Sequence, residues 1–125
     1  MLYIDDDSAI VFLTARILTR LGYHVTGCER PEEALHKFRA APHDFDVVVT
    51  DLSMPGMSGF DIARELRSIR ADIPILMTSG YVRPEDRETA HARGIRDLIL
   101  KPNTVDELGR SLDRVFTQLR GERSR

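Results

Sequence analysis

A chain of 125 residues suits one compact domain with one core, and a hydrophobic share of 42% beside a charged share of 30% describes an ordinary soluble globule. A formal net charge of -2 excludes a dedicated nucleic-acid surface, and no apolar run approaches the roughly 18 residues of a membrane span. The N-terminus turns acidic by Asp5, unlike a signal peptide, and the lone Cys28 excludes an internal disulfide, which points to a reducing, cytoplasmic setting.

Leu2-Tyr3-Ile4 reads as a first strand that ends on Asp5-Asp6-Asp7. From Ser8 the period becomes helical, with Ile10, Val11, Leu13, Ile17, Leu18 and Leu21 as the apolar set, Asp7 or Ser8 as N-cap and Gly22 as the stop. Tyr23 to Cys28 is the second strand, with Cys28 read as a small buried hydrophobe. Pro31 opens the second helix, Glu32 and Glu33 suit its first turn, and Ala34, Leu35 and Phe38 face inward. Val47-Val48-Val49 reads as a third strand buried on both faces, as in a parallel sheet covered by helices. It stops at Asp51, before the loop Leu52-Ser53-Met54-Pro55-Gly56-Met57-Ser58-Gly59.

Phe60, Ala63, Leu66 and Ile69 mark the third helix, and Ile75-Leu76-Met77 a fourth strand ending at Thr78-Ser79-Gly80. The fourth helix, Pro84 to Arg93, offers only Ala90 and Ala92 as apolar residues and so is expected to be weakly held. Leu98-Ile99-Leu100 is the fifth strand, ending on Lys101-Pro102. Thr104 to Glu107 forms a capping box ahead of the stripe Val105, Leu108, Leu112, Val115, Phe116 and Leu119. The polar end, Arg120 to Arg125, reads as a frayed tail or linker. Strict alternation implies an α/β domain with a five-stranded parallel sheet in the order 2-1-3-4-5 and helices on both faces.

In such a sheet the carboxyl ends of all strands share one edge, where ligands bind at the switch point between strands one and three. That edge gathers Asp5, Asp6, Asp7, Asp51, Ser79 and Lys101. Carboxylates about 5 Å apart repel by roughly 3 kcal/mol at an effective dielectric near 20. A hard divalent cation resolves such crowding, and Mg²⁺ is the usual choice where phosphate also enters. Acids, metal, a lysine and a hydroxyl around one point suit a phosphoryl group in transfer, with one carboxylate as nucleophile.

Asp5-Asp6, the Asp51 to Gly59 loop, Ser79-Gly80 and Lys101-Pro102 resemble the receiver (CheY-like) domains of two-component response regulators, in order and at family spacing along essentially the whole chain. The resemblance implies a doubly wound, flavodoxin-like (βα)5 fold over residues 1-120, with residues 121-125 as a tail. It implies that Asp51 is the phosphoacceptor, taking its phosphoryl group from a histidine kinase or histidine phosphotransfer protein. It also implies that Asp6, Asp51 and the backbone carbonyl of Ser53 bind Mg²⁺, while Asp5 holds metal-bound water. Lys101 would pair with the phosphoryl oxygens, Ser79 would swing toward the phosphate, and the Lys101-Pro102 bond would be cis.

Two positions depart from the family pattern: Leu98 stands where many receivers carry a switching aromatic residue, and Asn103 where Phe is common. Tyr81 is placed to lie over the site's mouth, and His24, His36, His43 and His91 read as surface residues. The start so close to strand one and the Ser79-Gly80-Tyr81 triplet resemble receivers at the C-terminal end of hybrid histidine kinases. The domain itself is expected to be no enzyme beyond assisting its own phosphorylation and dephosphorylation. The competing readings are a pseudo-receiver that only docks partners and a metal-dependent phosphatase. The phosphatase reading needs a base to activate water, and no side chain clearly offers one. No nucleic-acid or membrane partner is expected.

Overall fold

Strand and helix alternate along the chain in the computed structural model, which describes the backbone at residues 1-100 and 104-123 and side chains at 1-100 and 107-118. The strands are β1 (Leu2–Ile4), β2 (Thr26–Cys28), β3 (Val48–Asp51), β4 (Ile75–Ser79) and β5 (Asp97–Leu100). The helices are α1 (Ser8–Arg20), α2 (Pro31–Ala40), α3 (Gly59–Ile69), α4 (Pro84–Ala92) and α5 (Thr104–Arg123), with a short 3-10 turn at Pro42–Asp44. The strands pair in parallel in the order β2-β1-β3-β4-β5, as the alternation requires.

The period of two along each strand divides the core into two layers. Leu2, Ile4, Val48, Ile75, Met77 and Leu98 point to one face, where Phe38, Ile62, Leu66 and Ala90 of α2, α3 and α4 cover them. Tyr3, Val47, Val49, Leu76 and Ile99 point to the other, against Val11 and Leu18 of α1 and Leu108, Leu112 and Val115 of α5. Each fully buried aliphatic side chain contributes about 2 kcal/mol, so the helices that bury several of them are bound firmly.

Four elements differ from the sequence expectation: β2, α1, α3 and α5. The second strand was expected over Tyr23 to Cys28, but β2 begins at Thr26 because it pairs on one side only, with the three residues of β1. Tyr23 instead stacks on Phe116, with centroids 5.9 Å apart. In α1 the inward line is Val11, Thr14 and Leu18, while Leu13 and Leu21 join Phe12 on the exposed side. Leu13 and Leu21 lie off the line set by Val11 and Leu18, so this helix carries a second apolar face that the core does not use. In α3 Ile62 is buried and Phe60 only partly so.

The end of α1 follows the sequence reading. Asp7 Oδ1 accepts from the backbone N–H of Ala9 and Ile10, at 3.0 and 3.3 Å, and so is the N-cap. Gly22 takes φ +100°, the left-handed turn that stops the helix. At the other end of the chain, α5 stays helical to Arg123, beyond the point where a frayed tail was expected. The side chains of Val105 and Leu119, and the capping box at Thr104, lie outside the described residues.

Candidate functional site

The acids meet because the strands that precede them are neighbours. Ile4 pairs with Thr50, so the next residues, Asp5 and Asp51, both emerge at the carboxyl rim. Asp5, Asp6 and Asp51 each place a carboxylate oxygen within 4.8 Å of the others'. Asp5 is 1% exposed and Asp51 6%, while Asp6 faces solvent, so two of the carboxylates are largely withdrawn from water. Asp5 is oriented from behind: its Oδ1 accepts the Asp7 N–H at 3.0 Å. An all-oxygen, acidic donor set held together in this way fits a hard divalent cation and no soft metal. Asp7 turns away to cap α1.

The loop after Asp51 is fixed at both ends. The Leu52 N–H donates to the Thr78 carbonyl at 2.8 Å, and the Gly59 N–H returns to the Leu52 carbonyl at 2.7 Å. Gly59 is required here by close approach, since a Cβ at this position would stand 2.6 Å from the Asp51 carbonyl oxygen. Nothing in the sequence beyond its place after a capping serine signals that demand. Ser53 is exposed at the rim.

Ser79 ends β4 one residue beyond Thr78, the partner of Asp51. Its hydroxyl is engaged by its own loop, donating to the Tyr81 carbonyl at 2.6 Å and accepting the Tyr81 N–H at 3.2 Å. Tyr81 itself is exposed. A cavity of about 720 Å³ opens between the two loops, bordered by Ser53, Ser58, Phe60, Ser79, Tyr81 and Arg83.

Sequence reasoning missed Arg83, which borders the cavity and whose guanidinium binds the Asp86 carboxylate at 3.1 Å. The Arg-Pro-Glu-Asp run was its available signal, since it places an acid at the third helical position. The Arg83 guanidinium, with help from the Arg83 N–H, holds the Asp86 carboxyl below the usual carboxylate range.

Leu98 is buried in the layer beneath α4. Lys101 and Pro102, expected as a phosphate-binding cation and a cis-proline, lie outside the described residues. All four histidines are exposed, as expected. Cys28 is a buried thiol whose pKa is raised, first by burial, in keeping with a packing role.

Fold and rim together define a doubly wound α/β domain that gathers carboxylates at its switch point. The family profile of the response regulator receiver domain matches residues 1–113, and the chain belongs to that family. Chemotaxis protein CheY-3 of Vibrio cholerae is 35% identical over 128 residues, covering 95% of this chain and 92% of that protein. Two-component response regulator ARR14 of Arabidopsis thaliana is 33% identical over 108 residues, covering 86% of this chain but 28% of that protein.

This chain spans only 18–28% of the length of four such Arabidopsis regulators. Response regulator protein TrrA of Thermotoga maritima, solved in complex with Mg²⁺-BeF, superposes with a TM-score of 0.78 at 30% identity, over 90% of this chain and 95% of that one. The chain is thus a receiver domain of the two-component kind, a family of phosphoacceptors. Among the described residues no helix is long and apolar enough to cross a membrane.

Proposed function

We propose that Asp51 accepts a phosphoryl group from a phosphohistidine on a histidine kinase or histidine phosphotransfer protein. An Asp51 carboxylate oxygen attacks phosphorus, the P–O bond forms as the P–N bond breaks, and the electron pair leaves on the imidazole nitrogen. The observation that carries this reading is the meeting of Asp5, Asp6 and Asp51 within 4.8 Å at the ends of two neighbouring strands. Asp6, Asp51 and the Ser53 carbonyl would hold Mg²⁺, with Asp5 acting through water. Bound there, the ion would offset the carboxylate charges and draw charge from the phosphoryl oxygens. Lys101 is assigned to the same oxygens.

Ser79 is assigned the switch. Its hydroxyl cannot serve a phosphoryl group while it bridges the Tyr81 backbone, so engaging the phosphate releases two hydrogen bonds that now close the β4–α4 loop. With Leu98 in place of an aromatic residue, no ring moves inward behind it, and the output rests on this loop and α4. Phe12 and Leu13, 67% and 56% exposed on the helix that starts at the acid rim, suit an apolar surface on the phosphodonor.

Residues 1-120 constitute the receiver and 121-125 a tail, into which α5 continues as far as Arg123, within a cytoplasmic regulator or the C-terminal part of a hybrid kinase. The domain is no enzyme in its own right, beyond assisting its own phosphorylation and dephosphorylation. Incubation with acetyl phosphate and Mg²⁺, followed by intact-mass spectrometry, is expected to add one phosphate. Asp51→Ala is expected to remove that addition. No phosphate on the wild-type chain overturns the assignment and leaves a docking-only domain, and an unchanged amount on Asp51→Ala overturns it in favour of another acceptor.

A further inference from the structure

Away from the acid rim, α3 and the end of α4 enclose a groove of about 350 Å³. Phe60, Ala63, Arg64 and Arg67 recur at helical spacing along one wall, and Arg93, the C-cap of α4, closes the other. The Arg93 guanidinium lies 5.3 Å from the centre of the Phe60 ring, a cation–π contact. Arg67 Nη2 donates to the Gly94 carbonyl at 2.7 Å, while its buried Nε–H has no acceptor among the described residues.

Among the described residues the carboxylate that faces Arg64 and Arg93 is Asp61, and it is largely committed. It accepts from the Ser58 N–H and hydroxyl at 3.2 and 3.0 Å and stands 3.8 Å from Arg64. Glu65 on the same helix pairs with Arg39 at 3.3 Å. Among the described residues, three guanidinium groups therefore border one small concavity with one shared, already engaged acid.

We propose that this groove binds a nucleotide. Guanidinium forks match phosphate oxygens, and a concavity bordered by three of them favours an anion. The phosphate would sit between Arg64 and Arg67, and the base would stack on the outer face of the Arg93 guanidinium, already parked on Phe60. The volume is at the lower end of the roughly 300–1,000 Å³ of small-molecule sites. A helical peptide would need a row of apolar anchors, and this groove supplies only Phe60 and Ala63.

Binding is read by ligand-observed NMR and calorimetry on the unphosphorylated chain without Mg²⁺, so the result is independent of the phosphoacceptor assignment. The probes are AMP, GMP, inorganic phosphate and a hexaglutamate peptide. At least one nucleotide is expected to bind saturably, about tenfold more tightly than inorganic phosphate. Arg64→Ala and Arg93→Ala, both at exposed positions, are each expected to weaken it about tenfold. The proposal is overturned by no saturation at millimolar nucleotide, by unchanged affinity in folded Arg93→Ala, by phosphate binding as tightly as nucleotide, or by tighter binding of hexaglutamate.

Discussion

The two helices that follow the site's strands begin alike and are held very differently. In α3 the Ser58 N–H donates to Asp61 Oδ2 at 3.2 Å, and in α4 the Arg83 N–H donates to Asp86 Oδ2 at 3.0 Å. Past that first turn the likeness ends. α3 buries Ile62, Ala63 and Leu66, whereas α4 buries Asp86 and Ala90. Two large aliphatics at about 2 kcal/mol each stand against one methyl at about 0.8 kcal/mol. The serine that caps α3 also accepts the Asp61 N–H, while the arginine before α4 makes no such side-chain cap. The helix after Asp51 is thus anchored by its core face, and the helix after Ser79 hangs on its polar start. A phosphoacceptor gains from a fixed nucleophile and a movable reporter, and the chain distributes its apolar residues accordingly.

Shortening the anchor is the strongest way to break this contrast. Leu66→Ala is expected to cost about 3 kcal/mol in urea unfolding, because the cavity opens in a fully buried layer. Gly59→Ala comes next, at about 2 kcal/mol, since the new Cβ meets the Asp51 carbonyl oxygen at 2.6 Å. Its rate of phosphorylation by acetyl phosphate is expected to fall on the order of tenfold as the rim shifts. The counterpart after β4, Gly80, has open space where a Cβ would go, so Gly80→Ala is expected to unfold with the wild-type midpoint.

Ala90→Gly removes the one buried methyl of α4 and about 1 kcal/mol of helix propensity. Its effect is expected as faster amide exchange confined to α4, with the global midpoint nearly unchanged. A loss of global stability matching that of Leu66→Ala would show that α4 is as firmly built in as α3.

This difference between the helices was partly legible beforehand. The fourth helix showed its poverty in the run Pro-Glu-Asp-Arg-Glu-Thr-Ala-His-Ala-Arg, because apolar spacing maps directly onto a buried face. Strand order followed from the alternation of elements, since parallel strands need crossovers and crossovers have one hand. Periodicity failed where one helix carries two apolar stripes: in α1 it could not tell the buried Leu18 from the exposed Leu13 and Leu21. It also overran β2, whose length is set by its partner strand and not by its own residues.

At the site, the acids could be placed from strand ends alone. What Ser79 does with its hydroxyl could not, because that depends on the turn its own loop makes. The arginine groove was invisible for a related reason. Arg93 and Arg64 stand far apart in the chain, and only the placing of α3 beside the end of α4 brings them to one groove.

The gentlest probe of the two anchors is acid. Asp61 is held below the usual carboxylate range by the Ser58 N–H and then the Ser58 hydroxyl, and Asp86 by the Arg83 guanidinium and then the Arg83 N–H. A carboxyl whose pKa is lower folded than unfolded binds fewer protons in the native state. Its contribution is therefore complete above the ordinary Asp value of 3.8 and is lost as pH falls through the depressed value.

Both helix starts lose their acid on that descent, but α3 keeps Ile62 and Leu66 in the core while α4 keeps only Ala90. Backbone NMR on acidification from about pH 5 to about pH 2 is expected to show α4 amides losing protection before those of α3. Asp86→Asn should make α4 labile already at neutral pH and flatten its acid response. If α3 frays first, or if α4 protection is indifferent to pH, the polar start is not what holds α4.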